Sequence, residues 1–166
     1  MLQQAVNSNG IEDFQPINQA YNNTFHPNQL TLGLVVPLEN YSTSAVPDMK
    51  RHMERVQLAE ELGFCAIWLR DAPFNVPTFG DAGQMFDPFV YLGLLAGQTD
   101  RIALGVASIV LPLRHPAHVA KAAASIDVLS GGRLILGVAS GDRPEEYPAL
   151  NMSFDDRGER FQASFE

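Results

Sequence analysis

Cysteine is almost missing from this chain. Cys65 is the single one in 166 residues, which excludes an internal disulfide framework and a cysteine-based zinc site within one chain, and fits a reducing compartment. Cys65 itself reads as a small buried apolar residue of a strand. Positive charge is scarce as well: Lys and Arg number 11 against 19 Asp and Glu, giving a net charge of -8. With no basic run, that balance excludes a reader of the nucleic-acid backbone, and the expected partner is a small-molecule substrate. No apolar stretch approaches the roughly 20 residues that span a bilayer, so no membrane partner is expected. The first residues are polar and rich in Gln and Asn, without the basic start or apolar centre of a secretory signal, and the expected location is cytoplasmic. The histidines, His26, His52, His115 and His118, show no metal-ligand spacing with paired carboxylates, so no metal is expected.

What remains is ordinary globular composition, 46% apolar and 18% charged, long enough for one domain with a real core. Residues 1–29 carry little periodicity and read as an arm, whose Phe14 and Phe25 are candidates to pack on the domain. From residue 30 a rhythm sets in. Leu30 to Val36 is a first strand. Pro47-Asp48 opens a helix whose stripe is Met49, Met53, Val56, Ala59 and Leu62. Cys65 to Leu69 is a second strand, which delivers Arg70 and Asp71 to its C-terminal end. A long loop, Ala72 to Phe86, leads to Asp87-Pro88, an N-cap followed by proline at the first turn, with Phe89, Leu92, Leu95 and Ala96 on the buried side.

The stretch from Arg101 to Gly141 is a complete unit of strand, helix and strand. Ile102 to Leu111 is an unbroken apolar run suited to a strand buried on both faces. His115-Pro116 starts a helix with Val119, Ala122, Ile126 and Leu129 at helical spacing, ended by Gly131-Gly132. Leu134 to Val138 is a second buried strand, followed by a loop from Ala139 to Pro148, and a last helix begins at Arg157. The predicted strand starts, at 30, 65, 102 and 133, lie 35, 37 and 31 residues apart. That spacing is typical of parallel α/β folds, and it fits half of a barrel and a doubly wound open sheet equally well.

Several pieces in a fixed order settle that choice by resemblance. Phe86-Asp87-Pro88-Phe89, Thr99 to Gly105, Arg114-His115-Pro116, Asp127 to Arg133 and Gly137 to Gly141 together resemble the bacterial luciferase-like flavin monooxygenase family, from Leu30 to the end of the chain. The resemblance implies an α/β fold, the N-terminal half, about four βα units, of a (β/α)8 TIM barrel. It also implies reduced FMN, or in one branch the deazaflavin F420, at the C-terminal face of the strands, with oxygenation of a small organic substrate or hydride transfer as the reaction.

Residue by residue, the resemblance implies a non-proline cis peptide at Ala107-Ser108, backing the flavin ring. It makes the loop after the fourth strand the flavin-phosphate position, with hydrogen bonds from Ser140 and the Gly141 amide and positive charge from Arg143. Two departures stand out. Bacterial luciferase has an arginine where this chain has Ser140, and a catalytic histidine where it has Ala72, so light emission is not implied. Asp71 is the nearest ionisable candidate for proton transfer, and a carboxylate capping loop amides is the alternative.

Residues 30–166 therefore read as an incomplete half-barrel domain. A half-barrel leaves parallel edges unpaired, so the expectation is association, either as a homo-oligomer or with a complementing C-terminal half, or else a non-catalytic half-barrel that only binds flavin or phosphate.

Overall fold

Four segments rich in Val, Ile, Leu and Ala become strands, and all of them run parallel. The computed structural model describes residues 18–26, 28–37, 49–74, 76 and 86–166. The elements are α1 (Gln19–Thr24), β1 (Gly33–Val35), α2 (His52–Glu61), β2 (Ala66–Leu69), α3 (Pro88–Ala96), β3 (Ala103–Val110), α4 (Pro116–Ser130), β4 (Leu134–Ala139) and α5 (Arg157–Phe165). The strand order is β1-β2-β3-β4, with no reversal. A doubly wound sheet reverses its order at a switch point, whereas a barrel adds each strand beside the last. This sheet is half of a barrel wall.

The core lies between one face of the sheet and the helices. Ile67 and Leu69 of β2 and Leu104, Val106 and Ile109 of β3 pack with Val56 and Ala59 of α2, Leu92 and Leu95 of α3, and Val119, Ala123 and Ile126 of α4. Each buried Leu or Ile contributes about 2 kcal/mol from the apolar area it removes from water. Helix starts follow the expected chemistry. Asp87 Oδ1 accepts from the amides of Phe89 and Val90 at 2.9 and 3.3 Å, and His115 Nδ1 accepts from the Ala117 amide at 3.2 Å. Gly131, at φ 72°, closes α4.

Several boundaries and faces differ from the sequence reading. Only Gly33–Val35 of the first predicted strand pairs with β2; Leu30 and Leu32 are exposed, because nothing among the described residues covers this edge. Helix α2 starts at His52, with Met49 and Met53 partly buried against the core and Leu62 exposed. The buried stripe of α4 runs through Val119, Ala123, Ile126 and Ser130, not through Ala122 and Leu129, and Leu129 faces out. β4 buries only Leu134 fully, since it too is an outer edge. Cys65 is half-buried just before β2, where its thiol donates to the Leu32 carbonyl at 3.1 Å. Most of the predicted loop from Ala72 to Phe86, and the helix start at Pro47-Asp48, lie outside the described residues.

The other face of the sheet is the barrel's inner wall, and α1 lies against it. Ala20 of α1 packs with Ala66 and Ala103, beside Cys65, Trp68 and Ile135. Asn18 docks the helix: its Oδ1 caps the Tyr21 amide at 3.0 Å, and its Nδ2 donates to Leu134 O at 2.8 Å and Asp127 Oδ1 at 3.1 Å. Phe25 meets Trp68 with ring centroids 6.4 Å apart; Phe14 lies outside the described residues. The Trp68 indole lies across both neighbouring strands. A methyl group built at Gly33 would fall 2.4 Å from its Nε1, and one at Gly105 would fall 2.3 Å from its Cε3.

The N-terminal ends of the strands are held by two charged side chains. Arg133 is buried, and its guanidinium donates to the carbonyls of Ala96, Thr99, Ile102 and Ser130 and to the Thr99 hydroxyl, at 2.8–3.0 Å. Glu60 reaches from α2 to the turn before β3, where its Oε1 accepts from the amides of Asp100, Arg101 and Ile102 at 3.0, 2.6 and 2.8 Å. Burial raises the Glu60 carboxyl, but these amides more than offset it and hold it below the usual range. Glu60→Ala is expected to cost about 1–3 kcal/mol in urea unfolding, as the loss of charge-assisted bonds predicts. A depressed folded-state pKa gives stability that is present above the unfolded value of about 4.3 and lost as pH falls through the folded one. The variant's deficit should therefore shrink in acid; a deficit independent of pH would contradict the assignment.

Candidate functional site

At the opposite, C-terminal ends of β2, β3 and β4 the sheet opens into a cavity of about 310 Å³. Asp71, Ala107, Ser108, Ser140, Gly141 and Arg143, the candidates taken from the sequence, all line it, together with Arg70, Val110 and Glu146 among others. Their convergence follows from the topology, because parallel strands deliver the residues after each strand to one rim.

On β3, the pairing with β4 slips between Val106 and Ile109: Val106 pairs with Leu136 and Ile109 with Val138, so β3 carries one extra residue there. The extra length falls at Ala107-Ser108, whose peptide bond is cis. Ala107 and Ser108 are the least buried residues of an otherwise buried strand, and both line the cavity.

Asp71, at the end of β2, is held by three donors. Arg114, just before α4, places Nε 3.0 Å from Asp71 Oδ2 and Nη2 2.7 Å from Oδ1, and the Val110 amide donates to Oδ2 at 3.0 Å. The remaining arm of Arg114, Nη1, reaches Asp87 Oδ2 at 2.7 Å. The Asp71 side chain is only 2% exposed. A carboxylate so occupied ties β2 to the end of β3, as the capping alternative requires, with two donors on Oδ2 and one on Oδ1. Burial lowers the Arg114 guanidinium, and the two aspartates more than reverse this, holding it above its ordinary value.

The loop after β4 is pinned from beneath by Tyr147, fully buried, whose hydroxyl donates to the Ser140 carbonyl. Burial raises the Tyr147 hydroxyl above its ordinary pKa, so it remains a donor. Its ring stands edge-on to Phe154 at 5.3 Å, and the Arg157 guanidinium covers Phe154 at 3.8 Å. Gly141 sits directly above, at φ 83°, where an added methyl group would lie 2.7 Å from both Tyr147 Oη and Val110 Cγ1.

Arg143 and Glu146 complete the loop. Arg143 Nη1 lies 3.8 Å from Glu146 Oε1, with side chains 7% and 1% exposed. Burial pushes Glu146 up to about 7 against the pull of Arg143. Neither Glu146 nor the Asp71–Arg114 fork is evident in the sequence. Glu145-Glu146 reads as a solvated acidic pair in a loop, and the one available signal is that Glu146 falls three residues after Arg143. The donors present, two arginines and the hydroxyls of Ser108 and Ser140, suit the phosphate and polar edge of a flavin nucleotide.

The sequence profile of luciferase-like monooxygenases matches residues 30–165. The chain belongs to that family. Among luciferase-like proteins, an F420-dependent glucose-6-phosphate dehydrogenase of Microbacterium testaceum is 33% identical over 106 residues, which are 63% of this chain and 31% of the relative. The monooxygenase RslO1 of Streptomyces bottropensis superposes with a TM-score of 0.70 at 26% identity, over 82% of this chain and 41% of its own. The oxygenating constituent of 3,6-diketocamphane monooxygenase of Pseudomonas putida, solved in complex with FMN, superposes with a TM-score of 0.69 over 82% of this chain and 38% of its own, and at 18% identity it bears on the fold alone. The chain thus spans about a third to two fifths of the length of these luciferase-like proteins. No helix among the described residues is long and apolar enough to cross a membrane.

Proposed function

We infer that this chain supplies the first half of a flavin-dependent oxidoreductase, a monooxygenase that uses reduced FMN and dioxygen on a small organic substrate. The observation that carries this is the convergence of Ser108, Ser140, Gly141 and Arg143 on one cavity at the C-terminal ends of parallel strands, in a chain of this family. Arg143 and the Ser140 hydroxyl would hold the phosphate, and Ala107-Ser108 would lie behind the ring. A bound reduced flavin supplies the electrons that make dioxygen reactive. The protein's own contribution is to orient the flavin and to keep water away from it, which asks for more wall than four strands give. The outer edges of β1 and β4 pair with nothing among the described residues, so a complementing C-terminal half or a second copy closes the barrel in this reading.

The 33% identity to an F420-dependent dehydrogenase favours a second reading, hydride transfer with the deazaflavin. Light scattering during size exclusion, with FMN or F420 added and absorbance followed, separates the two. The expected result is a species larger than one chain that retains FMN and consumes oxygen when the flavin is reduced. Retention of F420 alone supports the second reading. A chain that holds neither cofactor, alone or together with a complementing C-terminal half, is non-catalytic, and both readings fall.

A further inference from the structure

The flavin reading leaves Glu146 without a task, yet this carboxylate is the most buried acidic group of the cavity wall. Its Oε1 has no hydrogen-bond partner among the described residues. Arg143 Nη1 lies 3.8 Å from that oxygen, beyond hydrogen-bond reach, so these two atoms attract each other without a bond between them. A buried carboxylate that accepts no hydrogen bond at one oxygen is poorly stabilised as an anion, which agrees with its titration near 7.

The other charged groups facing it are accounted for. Asp71, from the end of β2, is neutralised by the Arg114 fork. Asp142 and Glu145, on the same loop, are exposed, and Asp142 lies 3.9 Å from Arg143 Nε. Tyr147 is protonated and donates to Ser140, and Arg70 lines the same cavity from β2.

A phosphate monoester reaching Arg143 brings two negative charges to a wall whose own pair sums to zero. Repulsion between that dianion and an ionised Glu146 a few ångströms away opposes binding, and Glu146 relieves it by accepting a proton. We propose that Glu146 is the proton-linked counter-ion of Arg143, ionised while the cavity is empty and protonated from solvent when the phosphate monoester of the cofactor takes over the guanidinium. The proposal rests on the flavin reading and adds to it that phosphate binding is coupled to uptake of one proton at a stated oxygen pair.

With Glu146 titrating near 7, about nine protein molecules in ten carry its charge at pH 8. The phosphate of FMN, whose second ionisation lies near pH ~6, is already a dianion there and contributes no proton of its own. Calorimetric titration of the protein with FMN at pH 8, in buffers of different ionisation enthalpy, is expected to show uptake of close to one proton. Affinity should fall close to tenfold per pH unit above 7.5, since one proton is linked to binding. Riboflavin, which lacks the phosphate, should bind with no proton uptake, and Glu146→Gln should bind FMN with no uptake and a flat pH profile.

FMN binding without proton exchange in the unaltered protein overturns the proposal and leaves the flavin reading intact. Proton uptake that is equal for riboflavin and FMN overturns it as well, by placing the proton elsewhere. Failure of FMN to bind at any pH, with a complementing C-terminal half present as well as without it, removes the flavin reading and the proposal together. The proton count of the unaltered protein decides the matter even if the variant does not fold.

Discussion

Arg114→Ala is expected to lower the unfolding free energy by about 3–5 kcal/mol, the range seen when one partner of a buried ion pair is deleted. The reason is what it leaves behind. Asp71, with its side chain 2% exposed, would keep only the Val110 amide as a donor, and Asp87 would lose the third arm of the guanidinium. Three elements, the ends of β2 and β3 and the start of α3, are joined through this one side chain. Arg114→Lys should recover only part of the loss, because an ammonium group cannot make the two parallel bonds to Asp71. Urea unfolding measures both, and a loss below about 1 kcal/mol for alanine would place the pair among solvent-screened contacts.

Gly141→Ala carries the second large effect. The methyl group would fall 2.7 Å from Tyr147 Oη and from Val110 Cγ1, and the residue would have to keep φ 83°. Overpacking and left-handed backbone each cost about 1–3 kcal/mol, so a total of about 2–6 kcal/mol is expected in urea unfolding. The relief available is displacement of Tyr147 from the Ser140 carbonyl, which moves the loop that bears Arg143. FMN retention should therefore drop further than stability alone explains. A variant with normal retention would show that the phosphate does not use this loop.

Much of this arrangement is legible before any coordinates, because periodicity and turn chemistry act locally. The Asp87-Pro88 cap, the glycine stop after α4 and the four strand segments each rest on a few consecutive residues. The errors lie where the answer depends on distant neighbours. Leu30 and Leu32 read as strand because they are apolar, and they are exposed because β1 is an outer edge. Ala122 and Ala123 are chemically alike, so spacing alone does not say which one α4 turns to the core. Helix α1 spans only six residues and buries Ala20 and Thr24, too few for a period to show. In the site, the family's motifs bring the loop after β4 into view. The role of Asp71 depends on Arg114, which lies 43 positions away, and that of Glu146 depends on a burial that a run of two glutamates does not announce.

Trp68 gives the inner wall a reporter of its own. It is the single tryptophan of the chain, so the whole indole emission comes from one place, the ring laid over Gly33 and Gly105 beneath Phe25. Wetting of that wall shifts the colour of the emission, closure by further strands shifts it back, and a flavin arriving nearby quenches it. The assembly state of the barrel can thus be followed in solution by optical means, with no label added and no residue changed.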